Sequence, residues 1–402
     1  MLTVEEALEQ ILSRVKPLPS ERVPLMAALG RALAEPIASG REIPPWANSS
    51  MDGYAVRASD TTGAPVRLAV VGTVTAGAMP SCAVAAGEAI RIFTGAPLPP
   101  GADAVIPQED TDATDAHVTL KTSVTTGAFV RPRGEDLRFG DAVLAPGTAL
   151  GPAEIGVLAT LGHSQVLVHR RPRVAILSTG NELAELGREP GPGQIPNTNT
   201  YSLFAQVIEA GAAPTNLGIA ADRLESIEAR LGWGESADVL LSSAGVSVGD
   251  LDLVKAALTR AGAELHLWQV SMRPGKPITF GSLGARAVFG LPGNPVSAMV
   301  TFELFVRPAL RRLAGFTAIH RLRVTARALT PIPNPGFRRG YLRVTLERGK
   351  DWGARLTGDQ GSAILTSMVR ADGLAIVPGD TTIKIGDPVE IIVFREVALQ
   401  SV

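Results

Sequence analysis

Residues 171–315 alternate regularly between short β-favouring runs and helical stretches, and this alternation constrains the fold more than any other feature of the chain. RVAILSTG is typical of a strand that opens into a loop, and TYSLFAQVIEAGA is typical of the helix that follows it. The same strand–helix order continues to residue 315. Such an alternation predicts a doubly wound parallel sheet with helices on both faces, whose ligands bind at the carboxyl ends of the strands.

Polar, glycine-containing loops follow the predicted strands at 173–177, 238–242 and 287–291. They are STGNE (178–182), SAGVSVGDLD (243–252) and PGNPVS (292–297). In a parallel sheet all of these loops lie at one edge, where backbone N–H groups and helix N-termini bind phosphate. The alternative is that they are strand-to-helix turns and nothing more. In PGNPVS, Asn294 suits the N-cap position and Pro295 suits the first helical turn.

Charged side chains accompany these loops. The acids are Glu182, Asp222, Asp250 and Asp252. Magnesium favours one or two carboxylates together with phosphate oxygens, so this set indicates a metal-assisted phosphoryl site. For any single acid the alternative is a helix cap or a solvated side chain. Arg273-Pro274-Gly275-Lys276-Pro277 adds two cations on a loop that its prolines stiffen, which favours anion binding over a simple basic turn.

The rest of the chain indicates a multidomain α/β plus β protein. Thr3 and Glu6 form a capping box before a helix, and a second helical stretch is predicted near 24–34. We predict a helical linking domain from residues 1–45 with 140–170, and a small β domain from 46–139. The α/β domain spans 171–315. Residues 316–402 return to β patterning, which predicts a barrel-like C-terminal domain.

Composition excludes several classes of function. A net charge of -1 and 4% aromatic residues disfavour a nucleic-acid partner. No run approaches 18 consecutive apolar residues, so no membrane span is expected. The N-terminal sequence MLTVEEALEQILSRV lacks the apolar core of a signal peptide, and we expect a cytoplasmic protein. Cys82 is the one cysteine, which excludes an internal disulfide.

A set of longer motifs resembles one known family. They are NSSMDGYAV (48–56), RIFTGAPLPPGADAVIPQED (91–110), RPRGED (131–136), STGNEL, IPNTNTYSL, SSAGVSVGDLD, RPGKP and GLPGNPVSA. In this order they resemble the molybdopterin molybdenumtransferases, the family of MoeA and of the gephyrin E domain. The resemblance covers roughly residues 1–400, and MDGYAV and TGAPxPxGAD are its most specific motifs.

The resemblance implies an enzyme of molybdenum cofactor biosynthesis. Its substrates would be molybdate and adenylylated molybdopterin, and AMP would be released with the help of Mg²⁺. It also implies a homodimer whose active site lies between the α/β domain of one subunit and the MDGYAV-bearing domain of the other. The upstream adenylyltransferase and acceptor molybdoenzymes are further candidate partners.

The family's functional positions match individual residues of this chain. By that resemblance the catalytic residues are Asp52, Thr94, Asp136, Glu182 and Lys276. The substrate-binding residues are Ser247, Arg273, Ser297, Arg343 and Ser362, and the magnesium carboxylates are Asp222 and Asp252. For Arg343, which lies in an alternating strand, the alternative is one more solvated residue of a basic stretch.

This chain departs from the family pattern at three positions. Ala244 stands where relatives carry a glycine, and Arg273 where they carry a lysine. Gln269 stands where some members carry a lysine. Two other functions stay open. One is a molybdopterin adenylyltransferase-like enzyme, although such enzymes lack the MDGYAV and C-terminal β domains. The other is a non-catalytic scaffold related to the gephyrin E domain.

Overall fold

The structure is a computed structural model that describes residues 1–243 and 253–394. The chain divides into two compact units. The main unit comprises residues 1–35, 146–155 and the chain from 164 onward; the inserted unit comprises residues 36–145 and 156–163. The α-helices are α1 (Val4–Arg14), α2 (Pro152–Thr160), α3 (Thr198–Glu209), α4 (Leu224–Trp233), α5 (Leu253–Arg260), α6 (Pro295–Thr301), α7 (Arg307–Leu313) and α8 (Thr366–Arg370).

The inserted unit is built on a six-stranded, mainly antiparallel sheet in the order β7-β4-β6-β5-β9-β8. The strands up to residue 145 are β1 (Ser20–Pro24), β2 (Ile37–Ala38), β3 (Asn48–Ser49), β4 (Gly53–Val56), β5 (Val66–Val74), β6 (Glu88–Ile92), β7 (Ala104–Pro107), β8 (Thr111–Ala113), β9 (His117–Leu120), β10 (Val130–Arg131) and β11 (Ala142–Leu144). Successive residues of a strand face opposite sides. Tyr54 and Val56 accordingly pack in one apolar cluster and Ala55 in another, so both faces of the sheet are covered.

The α/β part of the main unit contains a second six-stranded sheet, in the order β16-β13-β17-β21-β20-β18. The strands from 165 to 291 are β12 (Gln165–His169), β13 (Arg173–Thr179), β14 (Leu183–Ala184), β15 (Ile195–Pro196), β16 (Ala213–Ala220), β17 (Val239–Ser243), β18 (Glu264–Gln269), β19 (Met272–Arg273), β20 (Pro277–Leu283) and β21 (Arg286–Leu291). The first four strands in the sheet order are parallel, which confirms the doubly wound domain. Val174 and Ile176 pack on one face and Ala175 and Leu177 on the other.

The far edge of this sheet differs from the all-parallel expectation, because β20 pairs antiparallel with both β21 and β18. Leu283 pairs with Arg286 across a two-residue turn, in which Gly284 has a φ of 59°. A turn this short joins antiparallel strands only, since a parallel connection needs a crossover of a dozen or more residues.

The C-terminal part of the main unit is a closed five-stranded barrel in the order β24-β25-β22-β28-β26, with β26 pairing back to β24. The strands after 320 are β22 (Arg323–Ala328), β23 (Ile332–Asn334), β24 (Arg339–Arg348), β25 (Trp352–Leu356), β26 (Gly373–Val377), β27 (Thr381–Ile383) and β28 (Pro388–Val393). Leu342, Val344 and Ile391 belong to the apolar cluster of this barrel. The barrel-like domain predicted from β patterning is confirmed.

The N-terminal segment confirms one helix and corrects another. The capping box is formed, since Glu6 N donates to Thr3 Oγ1 at 3.1 Å and Thr3 N donates to Glu6 Oε2 at 2.8 Å. The helix predicted near 24–34 is wrong, because only a short 3-10 turn at Leu25–Ala28 forms there. Gly30 N and Leu33 N instead donate to carbonyls of residues 150 and 148, so long-range backbone pairing replaces helical hydrogen bonds.

A long helical stretch follows PGNP, where Pro295 was expected in a first helical turn. α6 continues through a π-helical segment, Phe302–Val306, directly into α7. Among the described residues, no helix combines the length and the apolar character that a membrane span requires.

Candidate active site

Two loops at the carboxyl edge of the parallel strands are joined by a reciprocal hydrogen-bond pair. Asn181 N donates to Asp222 Oδ2 and Asp222 N donates to Asn181 Oδ1, both at 3.2 Å. This pair brings the loop after β13 beside the loop after β16. Gly180, with a φ of 143°, would place an added Cβ 2.5 Å from the Glu182 carboxylate oxygens. The positive φ favours glycine at position 180, and the Glu182 carboxylate folds back against it.

Asp222 does not act as the cap of the helix that follows it. The N-cap position of α4 is Arg223, which makes no side-chain capping bond, and Ser226 Oγ accepts from Ala221 N instead. The Asp222 side chain is exposed and contacts Asn181. This favours the functional interpretation of Asp222 over the capping alternative.

Buried polar side chains hold the NTNT segment (197–200) under this edge. Ser178 Oγ lies 2.7 Å from Thr200 Oγ1, and Asn197 Nδ2 donates to Thr200 Oγ1 at 2.9 Å. Asn199 Nδ2 donates to Ser243 Oγ at 2.8 Å and to the carbonyl of residue 293 at 2.7 Å. Three strand ends are thereby tied to the start of α3.

A cleft of about 640 Å³ opens above this network. Its lining residues come from the sheet edge, the start of α6 and the barrel, and include Glu182, Asn199, Ser243, Asn294, Ala363 and Leu365. The cleft lies at the carboxyl ends of parallel strands, where the sequence predicted a ligand site. Its lining combines polar side chains such as Asn199 and Ser243 with apolar ones such as Leu365.

The RPGKP loop packs closely against α6. An added Cβ at Gly275, whose φ is 99°, would lie 2.4 Å from Thr301 Oγ1 and 3.6 Å from Ser297 O. Only glycine permits this approach, because the backbone conformation and the contact both exclude a side chain. Arg273 is exposed and its Nη1 donates to the Pro335 carbonyl at 3.4 Å, whereas Lys276 is half-buried.

Arg343 is fully buried, which contradicts the solvated alternative for this residue. Its Nε donates to Ser367 Oγ and its Nη2 donates to the Gly361 carbonyl, both at 3.0 Å. Its Nη1 has no hydrogen-bond partner among the described residues, and no carboxylate there forms an ion pair with it. Burial, opposed by Asp359 and reinforced by the Arg273 charge, lowers the pKa of Arg343 to about 10.

Ser362 reaches the N-terminus of α6. Asn294 Nδ2 donates to Ser362 Oγ at 3.1 Å, and Val296 N donates to Ser362 O at 3.1 Å. Asn294 occupies the N-cap position as predicted, but its side chain makes no capping bond. Ser297 is buried in the first turn of α6. Ser297 and Ser362 thus lie at the start of α6, and Arg343 contacts Gly361, the neighbour of Ser362.

The inserted unit brings together two further predicted residues. The Asp52 carboxylate Oδ1 accepts from Thr94 N at 2.8 Å and from Thr94 Oγ1 at 2.7 Å. These two bonds lower the pKa of Asp52, against a smaller opposing effect of burial. Gly53 follows Asp52 in a strand where an added Cβ would lie 1.9 Å from the Ile106 carbonyl oxygen. The close β4–β7 approach holds this pair in place.

Other predicted residues are not gathered in this way. Asp136 is exposed, its backbone N donates to Ile43 O, and no described hydrogen bond joins its carboxylate to Asp52 or Thr94. Ser247 and Asp252, like Ala244, lie outside the described residues. Within residues 1–243 and 253–394, no cluster of three or more His, Cys, Asp or Glu side chains forms a metal site.

Sequence reasoning missed Asn199, Gln360 and Ser367. Asn199 lies in the quoted IPNTNTYSL string, directly before the predicted helix TYSLFAQVIEAGA, and that position was a usable signal. Gln360 and Ser367 contact Arg343, and no spacing in the sequence marks them as its partners.

Comparisons with known proteins agree with this arrangement. Residues 2–162 match the model of the MoeA N-terminal region (domain I and II). Residues 175–312 match a model described as "Probable molybdopterin binding domain", and residues 325–394 match the MoeA C-terminal region (domain IV).

Individual relatives are similar over nearly the whole chain. The molybdopterin molybdenumtransferase of Nostoc sp. is 40% identical, over 92% of this chain and 88% of its own. That of Bacillus subtilis is 36% identical, over 98% and 94%. The crystal structure of the molybdopterin biosynthesis MoeA protein from Pyrococcus horikoshii OT3 matches with a TM-score of 0.86 and 31% identity, over 98% of this chain and 100% of that one. The chain therefore belongs to the molybdopterin molybdenumtransferase family, whose members are enzymes of molybdenum cofactor biosynthesis.

Proposed function

We propose that this protein inserts molybdenum from molybdate into adenylylated molybdopterin and releases AMP in a Mg²⁺-dependent reaction. The observation that carries the proposal is Arg343. A buried guanidinium without a carboxylate partner, whose Nη1 has no hydrogen-bond partner among the described residues, is costly, and a bound anion would offset that cost. Ser362 and the Arg273 side chain supply further donors near it. Molybdate, a tetrahedral dianion, suits charge-assisted donors of this kind.

The cleft supplies the second half of the proposal. Its lining combines hydroxyl and amide side chains of the sheet edge with Asn294 at the start of α6, and donors of this kind suit the phosphates of the adenylylated ligand. Ser297 is buried in the first turn of α6, and Lys276 follows Gly275, which packs against α6. We assign Ser297 and Lys276 to phosphate binding, together with Ser247 as the residue expected from the family match.

Glu182 and Asp222 are exposed carboxylates on adjoining loops, an oxygen donor set that suits Mg²⁺. We propose that Asp222, with Asp252 as its expected partner, would hold the ion. There it would neutralise phosphate charge as the phosphoanhydride bond breaks. The protein's own contribution is to position the attacking oxygen and the departing AMP.

Asp52 has a different chemical character. Because two Thr94 donors lower its pKa, Asp52 stays ionised and is a weak base. We therefore assign Asp52 to holding a cation or a donor group in place, and not to removing a proton. Asp136, which no described contact joins to Asp52, keeps its assignment from the family match alone.

The proposed reaction is tested with purified protein and adenylylated molybdopterin. AMP release and molybdenum bound to the pterin are measured with and without molybdate, and with and without Mg²⁺. We expect both products to depend on both additions. Release of AMP without any incorporation of molybdenum would overturn the proposal, as would consumption of ATP with unmodified molybdopterin, which is the adenylyltransferase reaction.

We further propose that the enzyme is a homodimer whose site combines the inserted unit of one subunit with the main unit of the other. The test co-expresses Asp52→Ala and Glu182→Ala chains with different tags. Each mixed dimer would contain one intact site, so about a quarter of the wild-type activity should return in a random mixture. No recovery in purified mixed dimers would place both residues in the same subunit's site.

A further inference from the structure

The segment 357–367, which follows β25 and includes the start of α8, is organised around Arg343. Thr357 N donates to the Arg343 carbonyl at 3.1 Å. The Gln360 side chain accepts from Arg343 N at 2.8 Å and donates to Arg343 O at 3.2 Å. β24 pairs with β25 from Val344 onward, so at Arg343 the Gln360 amide continues the hydrogen bonding that a partner strand would supply.

The guanidinium itself is fixed by two bonds from two different nitrogens. Ser367 Oγ donates to the Ile364 carbonyl at 2.6 Å, so its proton is committed and a lone pair remains for Arg343 Nε. The Gly361 carbonyl accepts from Nη2. These bonds stop rotation of the planar group, and Nη1 is the nitrogen left without a partner.

The same segment carries Ser362 to α6, where Asn294 donates to its hydroxyl oxygen. The Ser362 proton is therefore available for another acceptor. The segment 357–367 thus orients two donors. One is Arg343 of the barrel, and the other is Ser362 of the segment itself.

We infer that Ser367 and Gln360 are positioning residues that hold the Arg343 guanidinium with Nη1 directed at the oxyanion substrate. The inference rests on the proposed function, because it names what orients the anion-binding group. Neither residue needs to contact the oxyanion. Ser367 acts on the side chain of Arg343 and Gln360 on its backbone.

The test compares Ser367→Ala with Ser367→Thr, which keeps the hydroxyl, and with Thr345→Ala as a matched control. Thr345 lies on the same strand as Arg343, and its hydroxyl donates to the Arg355 carbonyl. We expect Ser367→Ala to raise the apparent KM for molybdate about 5- to 20-fold, less than the loss of a direct hydrogen bond to the charged oxyanion, because Ser367 acts through Arg343. The KM for adenylylated molybdopterin should stay within about twofold, and Ser367→Thr and Thr345→Ala should resemble wild type.

A double-mutant cycle separates positioning from general stability. Ser367 accepts from Arg343 Nε, and lysine has no donor at that position. In an Arg343→Lys background, Ser367→Ala should therefore cause little further increase in the KM for molybdate. Additive effects would overturn the inference. Equal increases in both KM values, accompanied by a lower Tm, would also overturn it and indicate a purely structural serine.

A binding measurement distinguishes failure of this inference from failure of the proposed function. The shift in Tm caused by molybdate alone is recorded for each variant. If wild type shows neither this shift nor a molybdate-dependent reaction, the proposed function fails. If wild type responds and both Ser367→Ala and Gln360→Ala respond equally well, the positioning role is wrong.

Discussion

The Thr94 backbone N–H and hydroxyl both donate to the same oxygen of Asp52, at 2.8 and 2.7 Å. These residues are far apart in the sequence, and MDGYAV and TGAP are the motifs that carry them. The paired donors explain why the half-buried Asp52 has a lowered pKa.

Replacing Thr94 by Val removes the hydroxyl donor and keeps the backbone N–H. The pKa of Asp52 should rise toward its ordinary value, because the ionised form loses one hydrogen bond. If activity requires ionised Asp52, the acid limb of the rate profile moves to higher pH. The pKa is measured by carbon NMR of the carboxyl group, with Thr94→Ser as the control. An unchanged titration would show that the backbone donor alone sets the pKa.

Replacing Arg343 by Lys keeps the positive charge but removes the planar fork. We expect the apparent affinity for molybdate to fall roughly 10- to 150-fold, or about 1.5–3 kcal/mol, while binding of adenylylated molybdopterin is nearly unchanged. Arg343→Ala should weaken the molybdate dependence in the same way. Arg348→Lys, an exposed position on the same strand, is the matched control. Identical molybdate titrations for Arg343→Lys and wild type would show that the anion binds elsewhere.

Replacing Asp222 by Asn tests the proposed magnesium ligand. The unfolding free energy should change by less than about 0.5 kcal/mol, since Asp222 is exposed and does not cap α4. AMP release at limiting Mg²⁺ should fall on the order of tens-fold, because a carboxylate ligand becomes neutral. Titration of activity with Mg²⁺ provides the measurement, and Glu225→Gln in the first turn of α4 is the control. Wild-type rates throughout the titration would show that Asp222 does not bind Mg²⁺.

The Arg170–Asp238 pair predicts a pH-dependent contribution to stability. Burial raises the pKa of Asp238, but bidentate bonds from Arg170 and a bond from Arg173 N outweigh burial, so the pKa lies below 3.8. A lowered carboxyl pKa stabilises the fold above the unfolded-state pKa, and this effect is lost as pH falls through the folded-state value. Asp238→Asn should therefore cost about 1 kcal/mol near neutral pH, a value reduced for partial exposure.

Urea unfolding from pH 7 to pH 2.5 measures this difference. The gap between wild type and Asp238→Asn should be constant down to about pH 5 and shrink below about pH 4. Asp351→Asn breaks the exposed Arg327–Asp351 pair and should have little effect at any pH. If the difference in unfolding free energy persists at the lowest pH, the lower stability of Asp238→Asn comes from packing and not from charge.

Much of the fold could be predicted because periodicity is a local property of the chain. The strand–helix alternation of 171–315 predicted the parallel strands, but not the antiparallel pair β20 and β18. That edge depends on a two-residue turn at 284–285, which the domain-level pattern does not reveal. The apolar spacing near 24–34 suggested a helix, whereas backbone pairing with residues 148 and 150 prevented one.

Part of the candidate site was predictable as well. The polar loops after β13, β17 and β21 were expected at one edge, and glycines at 180 and 275 serve there for close approach. Asn294 was correctly placed at the N-cap position. Its side chain donates to Ser362, a residue distant in sequence, and does not cap α6. No local sequence rule predicts this contact.

Sequence alone determined the alternation that makes the α/β sheet, the loops at its carboxyl edge and the identity of the motif residues, because these depend on neighbouring positions. Alternation in GYLRVTLE also placed Arg343 on the face opposite Leu342 and Val344. Only the tertiary structure decided that this face is buried, since residues 357–367 cover it and satisfy Nε and Nη2 but not Nη1. Whether a charged residue is solvated or held for a ligand depends on segments that pack from elsewhere in the chain.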